Sequence, residues 1–159
     1  MAGSGTPATA ELTRRQVSYQ LHSYEPNTDE GSYGSQAVAQ LGTAPARVFK
    51  TLVVAVDSGL TVAVVPMTGQ LDTKALAAAA CAKKAKLADA ATSQRATGYV
   101  LGGISPFGQR NHLPTFVDSS ATEHTTIYCS AGRRGLQLEL SPHDLIRLTN
   151  ATLATITRY

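Results

Sequence analysis

Two features of this 159-residue chain carry residue types suited to chemistry. The first is Lys50, within the apolar run Val48-Phe49-Lys50-Thr51-Leu52-Val53-Val54. Strand alternation puts Lys50 on one face with Val48 and Leu52, and a buried ammonium without a partner is costly. If that face points inward, Lys50 must meet an anion or a hydrogen-bonding ligand. If Lys50 lies at the frayed start of the strand, it snorkels to water instead. The second feature is the stretch from Thr97 to Pro114, which holds four of the thirteen glycines and two of the seven prolines. There Gly102-Gly103 follow the β-like run Tyr99-Val100-Leu101. Adjacent glycines admit positive φ and close approach, so such a loop offers peptide N–H and C=O groups to a ligand. Pro106 fixes its own φ and biases Ser105 toward extended backbone, which stiffens the turn. The alternative is a loop that only connects two strands.

Other chemistries are disfavoured by spacing. No G-x-x-x-x-G-K-[ST] is present, and no G-x-G-x-x-G opens a helix. The segment Gly103-Ile104-Ser105-Pro106-Phe107 is the nearest thing to a nucleophile elbow, but it lacks the second glycine and puts proline where a helix must start. His22, His112, His124 and His143 form no H-x-x-x-H pair, so metal catalysis is not expected. Cys81 and Cys129 are too far apart in sequence to read as a disulfide framework or half of a zinc site, and a reducing compartment fits them best. Cys129 lies among apolar strand residues and Cys81 in an alanine-rich helix, so both are expected to be buried rather than reactive.

The elements that must position these residues can be read in order. Residues 1–5 read as a disordered leader and 6–159 as one domain, long enough to bury a core without staples. Thr6-Pro7 predicts the start of a helix over Ala8 to Gln16. Val17 to Tyr24 alternates as a half-buried strand, and Asn27 to Gly34 reads as a loop carrying Tyr33. A helix from Ser35 closes at Gly42. Val48 to Val56 is the clearest strand, turning at Asp57-Ser58-Gly59 into Leu60 to Val65. Asp72 predicts the cap of a helix reaching Cys81, with Lys83, Lys84 and Lys86 at its C-terminal side complementing the dipole. Asp89 caps a further helix ending near Arg95. Thr115 to Asp118 and Thr125 to Cys129 read as strands, Ser130 to Gly135 as a turn, and Leu136 to Leu140 as its partner. Ser141-Pro142-His143-Asp144 predicts a capping box opening a helix to Thr149. Strands joined by tight turns outnumber long helices, which indicates an α+β domain with a mixed, largely antiparallel sheet. The N-terminus lacks basic and apolar signal regions, and no window approaches 18 uninterrupted apolar residues, so a cytoplasmic protein without membrane contact is expected.

Several segments taken together resemble one family. They are His22-Ser23-Tyr24-Glu25, Val48 to Val54, Gly69-Gln70-Leu71-Asp72, Gln94 to Tyr99 with Gly102 to Pro106, and Thr126-Ile127-Tyr128 with Ser130 to Leu136. In this order, over about residues 6 to 158, they look like the YbaK family, free-standing relatives of the editing domain of bacterial prolyl-tRNA synthetase. The chain closely resembles the Cys-tRNA(Pro) deacylases of that family. The resemblance implies a curved sheet flanked by helices and a pocket that holds the aminoacylated 3′ end of a tRNA and cleaves the ester. By the same resemblance Lys50 would bind the phosphate or ribose end of the terminal adenosine. Gly102 and Gly103 would position the ester carbonyl as an oxyanion hole does. Tyr24, Tyr33 and Ser130 would line the aminoacyl pocket, with Thr51, Ile104 and Ser105 beside them from the two flanking motifs. Tyr33 stands where the family most often has phenylalanine, and Gln137 where relatives carry an acidic residue.

The implied mechanism is substrate-assisted: the cysteine thiol of the substrate attacks its own ester and leaves as a cyclic thiolactone. No cofactor is expected. The residues agree in one respect, since no activated nucleophile or general base is evident and positioning must carry the reaction. Fourteen basic against eleven acidic residues give a net charge of +3, a mild bias toward polyanions that predicts weak tRNA affinity and a delivering partner such as prolyl-tRNA synthetase. Lys83, Lys84, Lys86, Arg110, Arg133 and Arg134 would either meet acceptor-stem phosphates or form ordinary solvated surface. Two alternatives stand beside this reading. One is a deacylase preferring Ala-tRNA(Pro) or another small aminoacyl group; the other is a non-catalytic module binding tRNA ends or a synthetase.

Overall fold

Helix caps and strand alternation account for most of the architecture. The computed structural model describes residues 5–26, 33–57 and 59–159, giving the backbone alone at 33 and 34. Residues 1–4 of the expected disordered leader, most of the expected loop (27–32) and the turn residue Ser58 lie outside the described residues. Helix α1 (Pro7–Arg14) opens on a reciprocal cap: Thr6 Oγ1 accepts the Thr9 N–H at 3.1 Å, and Thr9 Oγ1 accepts the Thr6 N–H at 2.9 Å. The helix leaves through Gln16 at φ 58, and the Val17 N–H is taken by the Leu12 carbonyl. Those residues therefore cannot join a ladder, and strand β1 is Gln20–Ser23, shorter than expected.

Helix α2 (Tyr33–Leu41) starts two residues before Ser35, so the backbone of Tyr33 is helical where a loop was expected. Gly42 ends it at φ 67, its N–H on the Val38 carbonyl. A 3₁₀ turn (Pro45–Arg47) leads into strand β2 (Phe49–Val56), which pairs antiparallel with β3 (Gly59–Pro66), Lys50 opposite Val65. The short strand β4 (Gln70–Leu71) precedes helix α3 (Thr73–Ala79), whose cap Asp72 accepts the Ala75 N–H at 3.0 Å.

Helix α3 stops before Cys81, which takes φ 56 and is exposed, correcting the expected burial. The lysine run is also not a helix end. Residues Ala85–Leu87 form strand β5 against β2, and the Asp57 carboxylate accepts the Lys83 and Lys84 N–H groups, each at 3.1 Å. Helix α4 (Ala90–Thr97) is capped by Asp89 and closed by Gly98 at φ 81.

After the loop over 98–114 come β6 (Thr115–Asp118), a 3₁₀ turn (Ser119–Glu123), β7 (Ile127–Arg133) and β8 (Leu136–Leu140). Ser130 to Arg133 were expected as a turn. They continue β7 through an irregularity in its pairing with β8, so the turn itself is only Arg134-Gly135. Helix α5 (Pro142–Thr149) is capped by Ser141, which accepts the His143 N–H at 3.2 Å. Asp144 pairs with Arg147 at 3.0 Å instead of returning to the cap, so the expected capping box does not close. Strands β9 (Thr152–Ala154) and β10 (Thr157–Arg158) end the chain.

The strands form a five-stranded sheet β5-β2-β3-β6-β9, a three-stranded sheet β1-β8-β7 and the pair β10-β4. All pairings are antiparallel except β3-β6 and β6-β9, giving the expected mixed α+β domain. A parallel bridge between Val48 and Tyr128 links the two larger sheets. The main core lies on one side of the joined sheets and includes Leu12, Phe49, Phe107, Cys129, Leu138 and Leu145. On the other side α3 packs Leu76 against Val54, Val65 and Ile156. Among the described residues no helix is long and apolar enough to cross a membrane.

Asp118 fastens β6 to the end of the chain. Its buried carboxylate accepts the Ile156 N–H at 2.9 Å and the Ser120 N–H at 3.1 Å. Burial alone would raise its pKa, but the bonds from Ser120 and Ile156 outweigh that and hold it below the ordinary value of 3.8. A depressed folded-state pKa contributes stability that is complete above the ordinary value and lost as pH falls through the folded one. Asp118→Asn should therefore cost about 1–3 kcal/mol in urea unfolding at pH 7, with the gap to the unaltered protein closing as the pH drops below about 4.

Candidate functional site

The bridge between Val48 and Tyr128 determines which expected site residues meet. It is parallel, so by strand alternation Lys50 and Ser130, each two residues further along, point to the same side. Ser130 pairs with Gln137 of β8, and Gln137 with His22 of β1, which extends this face across four strands. Tyr24 continues the alternation from His22, donates its N–H to the Gly135 carbonyl at 2.9 Å, and buries its side chain. Lys50, Ser130, Gln137 and Tyr24 thus share one wall. The opposite faces of the same strands carry Phe49, Cys129 and Leu138 into the main core.

Lys50 is exposed, so of the two readings of its strand position the solvent-facing one holds. It is not at a frayed end, since it is hydrogen-bonded sheet beside β3. Thr51, next along β2, turns to the other face and leaves Oγ1 buried without a hydrogen-bond partner. Ile104 packs there as well, against Val53 and Tyr99. Ser105 is fully buried, its Oγ accepting the Phe107 N–H at 3.3 Å. Thr51, Ile104 and Ser105 therefore form the inner side of the site rather than the wall around Lys50. The side chain of Tyr33 lies outside the described residues.

The glycine loop is fixed from several directions. Tyr99, Val100 and Leu101 are not a strand: Val100 and Leu101 are exposed, while Tyr99 is buried and donates its hydroxyl to the Phe107 carbonyl at 2.6 Å. Glu11 of α1 accepts the Gly108 N–H at 2.6 Å, and Arg134 Nε donates to the Leu101 carbonyl at 2.8 Å. Gly102 takes φ 84, and a Cβ on Gly103 would lie 2.8 Å from Arg133 Cα. The loop thus lies directly on the irregular end of β7, three residues beyond Ser130. The Gly103 N–H is already engaged, donating to the Val100 carbonyl at 2.9 Å.

A polar network beside this wall was not visible in the sequence. Glu139 accepts from His22 Nε2 at 2.8 Å, Arg47 Nη2 at 3.1 Å and the Thr126 hydroxyl at 2.6 Å, while Arg47 stacks its guanidinium 5.0 Å above the Tyr128 ring. Burial pushes the Glu139 carboxyl up, but the bonds from Thr126 and His22 and the Arg47 charge outweigh it and hold the group below its ordinary range. The only sequence signal is that Glu139 alternates with Gln137 on a strand whose other face is leucine.

On β7, the Cys129 thiol is inaccessible and Ser130 Oγ already takes a backbone N–H. Burial pushes the Cys129 thiol up to about 12. Ser130 Oγ accepts the Gly132 N–H at 3.1 Å. Among the described residues no group of three His, Cys, Asp or Glu is placed to hold a metal. What remains is a cation, a buried amide at Gln137 whose Oε1 has no hydrogen-bond partner, and a glycine loop.

Comparison with known proteins identifies the family. A family model described as "Aminoacyl-tRNA editing domain" matches residues 30–148, and the chain belongs to that family, as the YbaK-like motifs implied. It is 38% identical over 154 residues, 96% of this chain and 93% of the relative, to an Enterococcus faecalis protein named "Putative Cys-tRNA(Pro)/Cys-tRNA(Cys) deacylase EbsC". The fold is shared with the hypothetical protein APE2540 at a TM-score of 0.87 and 25% identity, covering 96% of this chain and all of that one. It is also shared with "a putative trans-editing enzyme for prolyl tRNA synthetase" at 0.85 and 19%, covering 98% and 99%.

The loop contact is directly testable. Gly103→Ala must push the loop off the β7 backbone and should lower stability by about 1–3 kcal/mol, whereas Gly102→Ala, at an exposed residue strained by its φ, should cost about 1 kcal/mol. Chemical denaturation of the two variants measures the difference, and equal losses would mean that the approach to Arg133 does not constrain the loop.

Proposed function

We propose that this protein is an aminoacyl-tRNA deacylase that clears mischarged Cys-tRNA(Pro), and Cys-tRNA(Cys) with it, acting in trans in the cytoplasm. Family membership and the 38% identical relative support the reaction class. The observation that carries the mechanism is a wall bearing Lys50, Ser130 and Gln137 beside a fixed glycine loop, in which no protein nucleophile is activated.

In this reading Lys50 holds the phosphate of the terminal adenosine, for which an exposed ammonium needs no prior desolvation. Tyr24, Tyr33 and Ser130 surround the aminoacyl group. The unpaired Gln137 Oε1 accepts a hydrogen bond from the substrate α-ammonium, relieving a buried acceptor that costs about 1–3 kcal/mol when left unmade. Of the glycine pair, Gly102 supplies the N–H for the developing oxyanion, because that of Gly103 is taken. The substrate Sγ attacks the ester carbon, the ribose oxygen leaves with the thiol proton, and the cysteine departs as a thiolactone that water then opens. Holding thiol and ester together can contribute about 7–11 kcal/mol, which explains how the site works without its own nucleophile. Low tRNA affinity is offset if prolyl-tRNA synthetase hands the substrate over.

Hydrolysis of Cys-tRNA(Pro), Cys-tRNA(Cys) and Ala-tRNA(Pro), measured side by side, tests the reading. The cysteinyl esters should be cleaved and the alanyl ester should not, because it lacks a thiol. Faster release of alanine would replace this mechanism with one selecting small side chains, and no hydrolysis of any ester would leave only a binding module. Lys50→Ala should lower the rate by about 10²-fold while changing unfolding stability by less than about 0.5 kcal/mol, as expected for an exposed side chain.

A further inference from the structure

The lysines of the α3–β5 connection form a site of their own. Lys74, Lys83, Lys84 and Lys86 are all exposed and line one open groove of about 680 Å³, floored by Ala55 and Ala77. The acidic residue in that groove, Asp57, has its carboxylate filled by the Lys83 and Lys84 N–H groups. It therefore anchors the lysine-bearing backbone, and its single charge against four lysines leaves the groove strongly positive. Among the described residues no carboxylate lies within ion-pair distance of these four lysines. Pairing of Ala55 with Lys86 fixes the groove at the far end of the strand that carries Lys50, with Ala55 turned to the opposite face from Lys50. Five residues of strand separate the two, about 17 Å at the usual rise.

We infer that this groove binds the phosphate backbone of the tRNA acceptor arm while its aminoacylated end occupies the wall around Lys50. The inference rests on the deacylase reading for the identity of the RNA. Four like charges held together on a rigid connector attract a polyanion, and a phosphate chain leaving Lys50 reaches them by passing round the β5 edge of the sheet. Arg134 is less suited to this task, since its guanidinium is bonded to the Leu101 carbonyl. Of the arginines expected from sequence to join these lysines, Arg134 thus serves the glycine loop instead.

The test uses the triple variant Lys74→Gln/Lys83→Gln/Lys84→Gln and two readouts: affinity for deacylated tRNA across a salt series, and hydrolysis of the cysteinyl ester of adenosine. At about 0.1 M salt, tRNA affinity should fall by about 10-fold, and the slope of log K against log salt should flatten by roughly 2–3, as expected for three lost phosphate contacts. Hydrolysis of the small ester should be unchanged, because it does not reach the groove. Unchanged tRNA affinity and slope overturn the proposal. So does unchanged affinity with new self-association, which would make the lysines guards of the exposed β5 edge. If the unaltered protein leaves the small ester intact while tRNA binding still depends on these lysines, the deacylase reading fails and the groove stands. Should the triple variant unfold, Lys83→Gln/Lys84→Gln carries the same expectation with a slope change of roughly 1–2.

Discussion

Gly103 lies so close to β7 that a single methyl group there would collide with the backbone of Arg133 and Arg134. This approach makes the glycine loop part of the sheet rather than a connection over its surface. Glu11 from α1, the Tyr99 hydroxyl and the Arg134 side chain secure the loop at three further points. A site without its own nucleophile depends on geometry, and geometry requires a loop that cannot drift. The core beneath supplies the rigidity, since Phe107 and Ile104 from the same loop are buried in it.

Much of the scaffold was legible in the sequence because its signals are local. Thr6-Pro7, Asp72, Asp89 and Ser141-Pro142 each start a helix by capping, and alternation marks β2 and β3, while β6 has the expected bounds. The misses share a different cause. β4, β5, β9 and β10 are two or three residues long and exist only because a neighbouring strand pairs with them. Ser130 to Arg133 have the composition of a turn, yet β8 holds them in the ladder through an irregularity. Tyr99-Val100-Leu101 has the composition of a strand but no strand alongside it, so two of its apolar side chains face water.

The site was legible in part. Lys50 and Ser130 were singled out from different segments, and the bridge of Val48 with Tyr128, two residues before each, turns them to one side. Gln137 was noticed as a departure from the family, while the lack of a partner for its buried oxygen required the packed neighbours. The Glu139 cluster was invisible because it draws on residues from β1, the 3₁₀ turn before β2, the approach to β7 and β8. Helix α3 ends two residues before Cys81, which is enough to move that side chain from core to solvent.

Because Lys50 belongs to one sheet and Ser130 to another, the gap between them is governed by a seam only one residue pair wide. Val48, Tyr128 and the guanidinium resting on that ring therefore act as the hinge pin of the cleft, although none of them need touch what the cleft holds. Evolution can retune such a cleft by repacking the seam, widening or narrowing it for a different guest while every lining side chain stays the same.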